Sequence, residues 1–262
     1  MRRALALAPI LGIFLFSAVA WGQVTTGTPP FGSFSGGPFD TINNGDLNVH
    51  FQIPILQKNG RRLPFYYILA YDSSVWNLAG SAGSGSWTPV SNWGWSTITD
   101  GVTGYVRYTV DGPYECVTGT YPNLHYYYWS IYTGFSYIDS FGSGHFFGGG
   151  TAVSTAAGIP CASNQPPTST TAVAVDGSGY TLNVTAGSTG PYGPVYSRAG
   201  TSFNVPYFSG AASQAATSKY DSNGNGISSN GSAFTDTLGT TALTVSGSGT
   251  PSSPIGNCPE HS

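Results

Sequence analysis

The residues able to do chemistry in this chain are few and scattered. Its only glutamates are Glu115 and Glu260. The second lies in the C-terminal tail, so the paired glutamates of a glycosidase are not expected. Asp139 sits beside a dense aromatic block and could be half of an Asp-based hydrolytic pair, although an aspartate in a turn is the commoner explanation. His125 and His145 flank the same block, with no second ligand type at fixed spacing to suggest a metal site. His50 falls on the polar face of an alternating stretch and is expected to face solvent. The chain has no G-x-S-x-G, H-E-x-x-H, C-x-x-C or G-x-G-x-x-G segment. An enzyme is therefore not expected, and the hydrolase built on Asp139 is the weakest alternative.

Two other patterns point to binding. Asp221-x-Asn223-x-Asn225-Gly226 matches the first half of a calcium loop, but Ser232 stands where the bidentate Glu should be. An Asn/Gly hairpin turn explains the same letters, so no cofactor is expected beyond a weak case for calcium at Asp221, Asn223 and Asn225. The stronger pattern is aromatic: Tyr126, Tyr127, Tyr128 and Trp129 in a row, and Trp87, Trp93 and Trp95 along a loop. Exposed Tyr and Trp stack on sugar rings, whereas buried ones fill a β core. Both readings stand. In a strand the three tyrosines must divide between two faces.

Composition sets the surroundings for these residues. Only 7% of residues are charged, against about 25% in an average soluble protein. Glycine, proline and aromatic residues fill the gap, with 14% Phe, Trp or Tyr. That is too aromatic for a disordered chain and suits strands separated by turns. A net charge of −3, with Arg61-Arg62 the lone basic pair after the first residues, argues against nucleic acid as a partner. Residues 1–20 have the plan of a signal peptide: Arg2-Arg3, an apolar run, then Ala18-Val19-Ala20. Cleavage there would leave no membrane span and a secreted or cell-surface protein. Such a place permits disulfides. Cys116 and Cys161 are the plausible pair, which leaves Cys258 over.

The expected fold is all-β, with antiparallel hairpins forming a sandwich-like or a ribbon- or shell-like sheet. A Gly/Pro-rich lead-in covers 21–44, an aromatic-rich β region 45–150, a linker 151–171, a run of short hairpins 172–247 and a flexible tail 248–262. In the opening hairpin, Leu47, Val49, Phe51, Ile53 and Ile55 alternate with polar residues. Partners across a hairpin share a face. A three-residue loop at Asn59-Gly60-Arg61 would pair Ile53 with Tyr67 and Phe51 with Leu69; an equivalent bulge would serve as well. Farther on, a two-residue Gly177-Ser178 loop would pair Val175 with Tyr180 and Val173 with Leu182. Similar punctuation recurs in Tyr196…Gly200, Tyr220-Asp221…Gly224 and Asp236…Gly239.

These residues carry a family likeness. Tyr220-Asp221-Ser222-Asn223-Gly224 has the form Y-D-x-x-G, and Asp176…Gly179 and Asp236…Gly239 keep D-x-x-G. Gly45-Asp46-Leu47, Ile53-Pro54, Gly60-Arg61, Leu63-Pro64 and Tyr71-Asp72-Ser73 look like the lead-in ahead of such repeats. The chain resembles the N-terminal portion of bacterial RHS/YD-repeat proteins, exported β-shell proteins related to polymorphic toxins and, distantly, to teneurins. The resemblance implies a strand ribbon that spirals into a hollow shell, often around a C-terminal effector. Its partner would be a downstream β-repeat region or another exported protein. The chain lacks a long run of regular repeats, a core-closing segment and an effector. The rival expectation is a stand-alone carbohydrate-binding or adhesive module with glycan partners.

Overall fold

The computed structural model describes residues 28, 33–60, 63–73, 76–79, 85–89, 93–99, 103–140, 142–210, 217–230, 232–246 and 256–258. The expected signal peptide lies outside them. Among the described residues every regular element is a strand, and no helix is long and apolar enough to cross a membrane.

The first sheet is built from β1 (Phe34–Gly36), β2 (Asp40–Asn43), β3 (Val49–Lys58) and β4 (Phe65–Asp72). A separate hairpin of β5 (Trp76–Ala79) and β6 (Ser86–Pro89) follows, and β7 (Gly94–Thr99) then returns to pair with β4. The second sheet centres on two sixteen-residue strands, β8 (Tyr105–Thr120) and β9 (Asn123–Ile138). The short strands β10 (Gly144–Phe146) and β11 (Val153–Ser154) both pair with β9.

The third sheet is a ladder. It runs through β12 (Ser169–Val173), β13 (Thr181–Gly187), β14 (Gly190–Tyr192), β15 (Pro194–Tyr196) and β16 (Ser202–Asn204). It continues through β18 (Ser218–Tyr220), β19 (Gly226–Ser229), β20 (Ala233–Asp236), β21 (Thr241–Ser246) and β22 (Gly256–Cys258). Apart from β14, which pairs only with β13, the strands lie side by side in chain order, each antiparallel to the last. β17 (Tyr207–Phe208) leaves the ladder to pair with β8, in parallel.

One turn recurs with the same bonds. In Asp221–Asn225, the Gly224 N–H donates to the Asp221 carbonyl (3.1 Å) and the Asp221 N–H to the Asn225 carbonyl (2.8 Å). The Asp221 carboxylate accepts the Asn225 N–H at 2.9 Å. Asp236–Thr240 repeats this pattern, and Ser197–Thr201 repeats it with a hydroxyl as the acceptor. Asp139 with Gly142 and Ser143 makes a further copy outside the ladder. The fourth residue is always glycine with φ between +80° and +87°, a region glycine enters without steric cost. The carboxylate or hydroxyl satisfies an N–H that the turn would otherwise leave open.

The tyrosine of the Y-D pair also has a packing role. Tyr220 lies directly across from Gly226, and a Cβ on Gly226 would stand 2.2 Å from its ring. Gly226→Ala is therefore expected to cost about 1–3 kcal/mol by overpacking, seen as a lower thermal midpoint. An unchanged midpoint would mean that the ring moves aside freely.

Both predicted registers need correction. In the opening hairpin Phe51 pairs with Tyr71 and Ile53 with Leu69, and a bulge between Pro54 and Leu56 shifts the remainder so that Leu56 meets Tyr67. The bulge replaces the short loop, and the connection runs from Asn59 to Pro64. In the later hairpin Val173 pairs with Thr181 and Ala172 with Leu182. That turns Val173 and Val175 outward and puts Ala172 and Ala174 on the face of buried Leu182. The small alanines fit where the sheets pack together.

Two apolar clusters hold the sheets together. In one, Val106, Tyr132, Phe135 and Tyr137 of the second sheet meet Leu182, Val184 and Val195 of the ladder. In the other, Phe65 and Tyr67 of the first sheet meet Ile227, Phe234 and Leu243.

Candidate functional site

Each apolar face is covered at one end and bare at the other. On β9, alternation carries the face of Tyr132 out through Ser130 to Tyr128, Tyr126 and Leu124. These pair with Glu115, Val117 and Gly119 on β8. Here the strands project as an arm beyond both clusters, with Tyr126 and Tyr128 55% and 60% exposed. Tyr127 and Trp129 point to the opposite face with Cys116 and Tyr114, and both are half-buried. The Trp129 ring stacks on Tyr114 at 5.5 Å. Cys116 is joined to Cys161 by a disulfide, which fastens that face of the arm to the segment after β11. The quartet thus belongs to neither apolar cluster; it splits between a tethered face and an open one. Glu115 beside Tyr128 pushes its phenol upward in pKa.

The first sheet repeats the arrangement. Phe65 and Tyr67 are buried against the ladder, and the same face continues through Leu69 to Tyr71. There Phe51, Tyr71 and Trp95 form a row across three strands, with ring centres 6.0 and 5.1 Å apart. Trp95, Trp93 and Trp87 are all more than half exposed. Trp87 shares a face of the β5–β6 hairpin with exposed Trp76, its diagonal neighbour.

The opposite face of the first sheet overturns the expectation for His50. Asn48, His50 and Asp72 are 0%, 1% and 4% exposed, although Ile53 and Ile55 lie open to solvent. The register that places His50 across from Asp72 completes a polar network. The Asp72 carboxylate accepts from the Asn48 amide at 2.7 Å and from His50 Nδ1 at 2.9 Å. The Gln52 amide donates to His50 Nε2 at 2.9 Å, which fixes the ring hydrogen on Nδ1. The Ser73 hydroxyl donates to Asn48 and accepts from the Val49 N–H. The two open ends of the β3–β4 hairpin are thus joined to each other. Nothing in an alternating sequence marks this face as the buried one.

A second polar cluster joins the second sheet to the ladder. Buried His145 contacts the Asp176 carboxylate through Nδ1 at 2.7 Å and that of Asp139 through Nε2 at 3.4 Å. Tyr137 and Tyr180 pack on its ring. The Asp139 carboxylate also accepts the Ser143 N–H, and that of Asp176 the Ser178 N–H and hydroxyl. Asp139, the residue considered for hydrolysis, and Asp176 therefore clasp two turns across an imidazole.

Burial alone would push the His145 pKa down, but the two carboxylates outweigh it and hold it above 6.5. Burial would raise Asp176, but its bonds from Ser178 and then from His145 hold it below 3.8. A raised histidine contributes stability that is complete below its unfolded pKa and lost as pH rises through the folded value. A lowered aspartate contributes stability that is present above its unfolded pKa and lost as pH falls through the folded value. The clasp is therefore fully effective between about pH 4 and 6.5. The thermal midpoint is expected to fall as the pH rises above about 6.5, and the fall to be absent in His145→Gln. Parallel curves for the two proteins would contradict the clasp.

The sequence-predicted calcium residues form a turn in the structure. Asp221 spends one oxygen on the N–H groups of Asn223 and Asn225 and the other on the Asn225 amide. Among the described residues no three His, Cys, Asp or Glu side chains gather as metal ligands. No family model, curated protein or solved structure matches the chain.

Proposed function

We propose that this chain is an exported, non-catalytic β scaffold, the head of a strand ribbon of the RHS/YD-repeat kind. The observation that carries this reading is the ladder: its strands add in chain order, and the same glycine turn joins three of its strand pairs, at Ser197–Thr201, Asp221–Asn225 and Asp236–Thr240. A sheet built this way grows at one edge by repetition. The half-covered apolar faces support the same reading, because further strands laid on them would extend contacts the ladder already makes. The partner is then a downstream β-repeat region or another exported protein, and residues 1–20 act as a cleaved signal. Protease added to intact host cells tests the placement. Loss of the signal from an antibody to residues 40–80, or its appearance in the medium, is the expected result. A signal protected until the cells are lysed would contradict it.

A second reading is favoured by the open arm face and the tryptophans. Tyr126, Tyr128, Trp87, Trp93 and Trp95 offer uncharged aromatic surface, the kind that stacks on glycans. A glycan array probed with the purified protein, and with Tyr126→Ala/Tyr128→Ala, separates this adhesive module from the scaffold.

A further inference from the structure

Between the tip of the β3–β4 hairpin and the turn regions around Asn225 and Asp236 lies a cavity of about 330 Å³. That is the lower end of the about 300–1,000 Å³ range of small-molecule sites, room for one ring-sized ligand. Its inner wall is apolar: Leu63, Phe65 and Ile227 belong to the cluster that joins the first sheet to the ladder. Its outer wall is polar. Asn59, Thr240 and Thr241 line it, and among the described residues none of these side chains has a hydrogen-bond partner. The Asp236 carboxylate is there too, with one oxygen holding the N–H groups of Leu238 and Thr240 and the other left over. Lys58 also lines the cavity.

We propose that this cavity binds a neutral sugar ring. A pyranose has an apolar C–H face and a rim of hydroxyls that both donate and accept. The wall of Leu63, Phe65 and Ile227 fits the first. Asn59, Thr240 and Thr241, which also donate and accept, fit the second, with the spare Asp236 oxygen as a strong acceptor for ring hydroxyls. Among the described lining residues Lys58 and Asp236 supply one charge of each sign, which suits a neutral ligand. The site is separate from the exposed aromatic faces and stands or falls without them.

The test is titration calorimetry or saturation-transfer NMR of the full chain with the methyl glycosides of D-glucose, D-galactose, D-mannose and N-acetyl-D-glucosamine, and with L-leucine as a zwitterionic control. At least one glycoside is expected to bind, with a Kd of about 1 mM or tighter. Asn59→Ala and Thr241→Val, which leave the turn bonds and the apolar wall in place, are each expected to weaken it about tenfold without moving the thermal midpoint. Absence of binding by all four glycosides, binding unaffected by both substitutions, or binding of L-leucine alone would overturn the assignment.

Discussion

Asp72→Ala is expected to destabilise the protein by about 3–5 kcal/mol, the range for removing one partner from a buried ionic or polar pair. The Asp72 carboxylate accepts from both the Asn48 amide and His50 Nδ1, and all three residues are shut away from water. Without it, two buried donors lose their acceptor, and each unsatisfied group costs about 1–3 kcal/mol. The loss should appear as a lower urea midpoint at constant slope. Asp72→Asn keeps the volume and one acceptor oxygen, so it is expected to recover part of the loss. If the Ala and Asn variants were equally stable and close to wild type, the network would contribute nothing to holding the first sheet. This matters for function because the same strands carry the Phe51–Tyr71–Trp95 row on their other face: what fixes the buried side sets the exposed one.

Loss of the Cys116–Cys161 disulfide has the next largest expected effect. The bridge spans 45 residues, and closing a loop of that length restrains the unfolded chain by about 4 kcal/mol in the chain-entropy view. Cys116→Ala/Cys161→Ala should lower stability by up to that amount. It should also act locally. A two-stranded ribbon is marginal by itself, and among the described residues the outer half of the arm takes its one covalent tether from this bond. Limited proteolysis between Tyr114 and Ser130 is expected to become fast in the variant and slow in the bridged protein. Equal cleavage would show that the arm is held by its other contacts.

How far these features were legible depends on how local they are. The all-β, antiparallel fold follows from alternation, aromatic content and glycine turns, each readable within ten residues. The D-x-x-G turns are legible for the same reason, since Asp and Gly act inside one loop. The copy at Asp139…Gly142 carries the same spacing and was readable by the same rule, although the aromatic block around it draws attention elsewhere. The registers were not legible. A one-residue difference in loop length exchanges faces, and the deciding factors were a bulge at Ile55 and the small size of Ala172 and Ala174. Burial of His50 was hidden because alternation marks the apolar side as the inner one, and the partner that reverses this, Asp72, lies on the next strand. The Asp139–His145–Asp176 clasp joins separate sheets, and no spacing rule reaches across them.

The central claim, that this chain heads an exported strand ribbon, is tested most directly by the size and location of the native product. An antibody to residues 40–80, used on fractions of the host, is expected to reveal a band well above 27.2 kDa outside the cytoplasm. A band at or just below 27.2 kDa would contradict the ribbon and leave the glycan-binding module as the standing account.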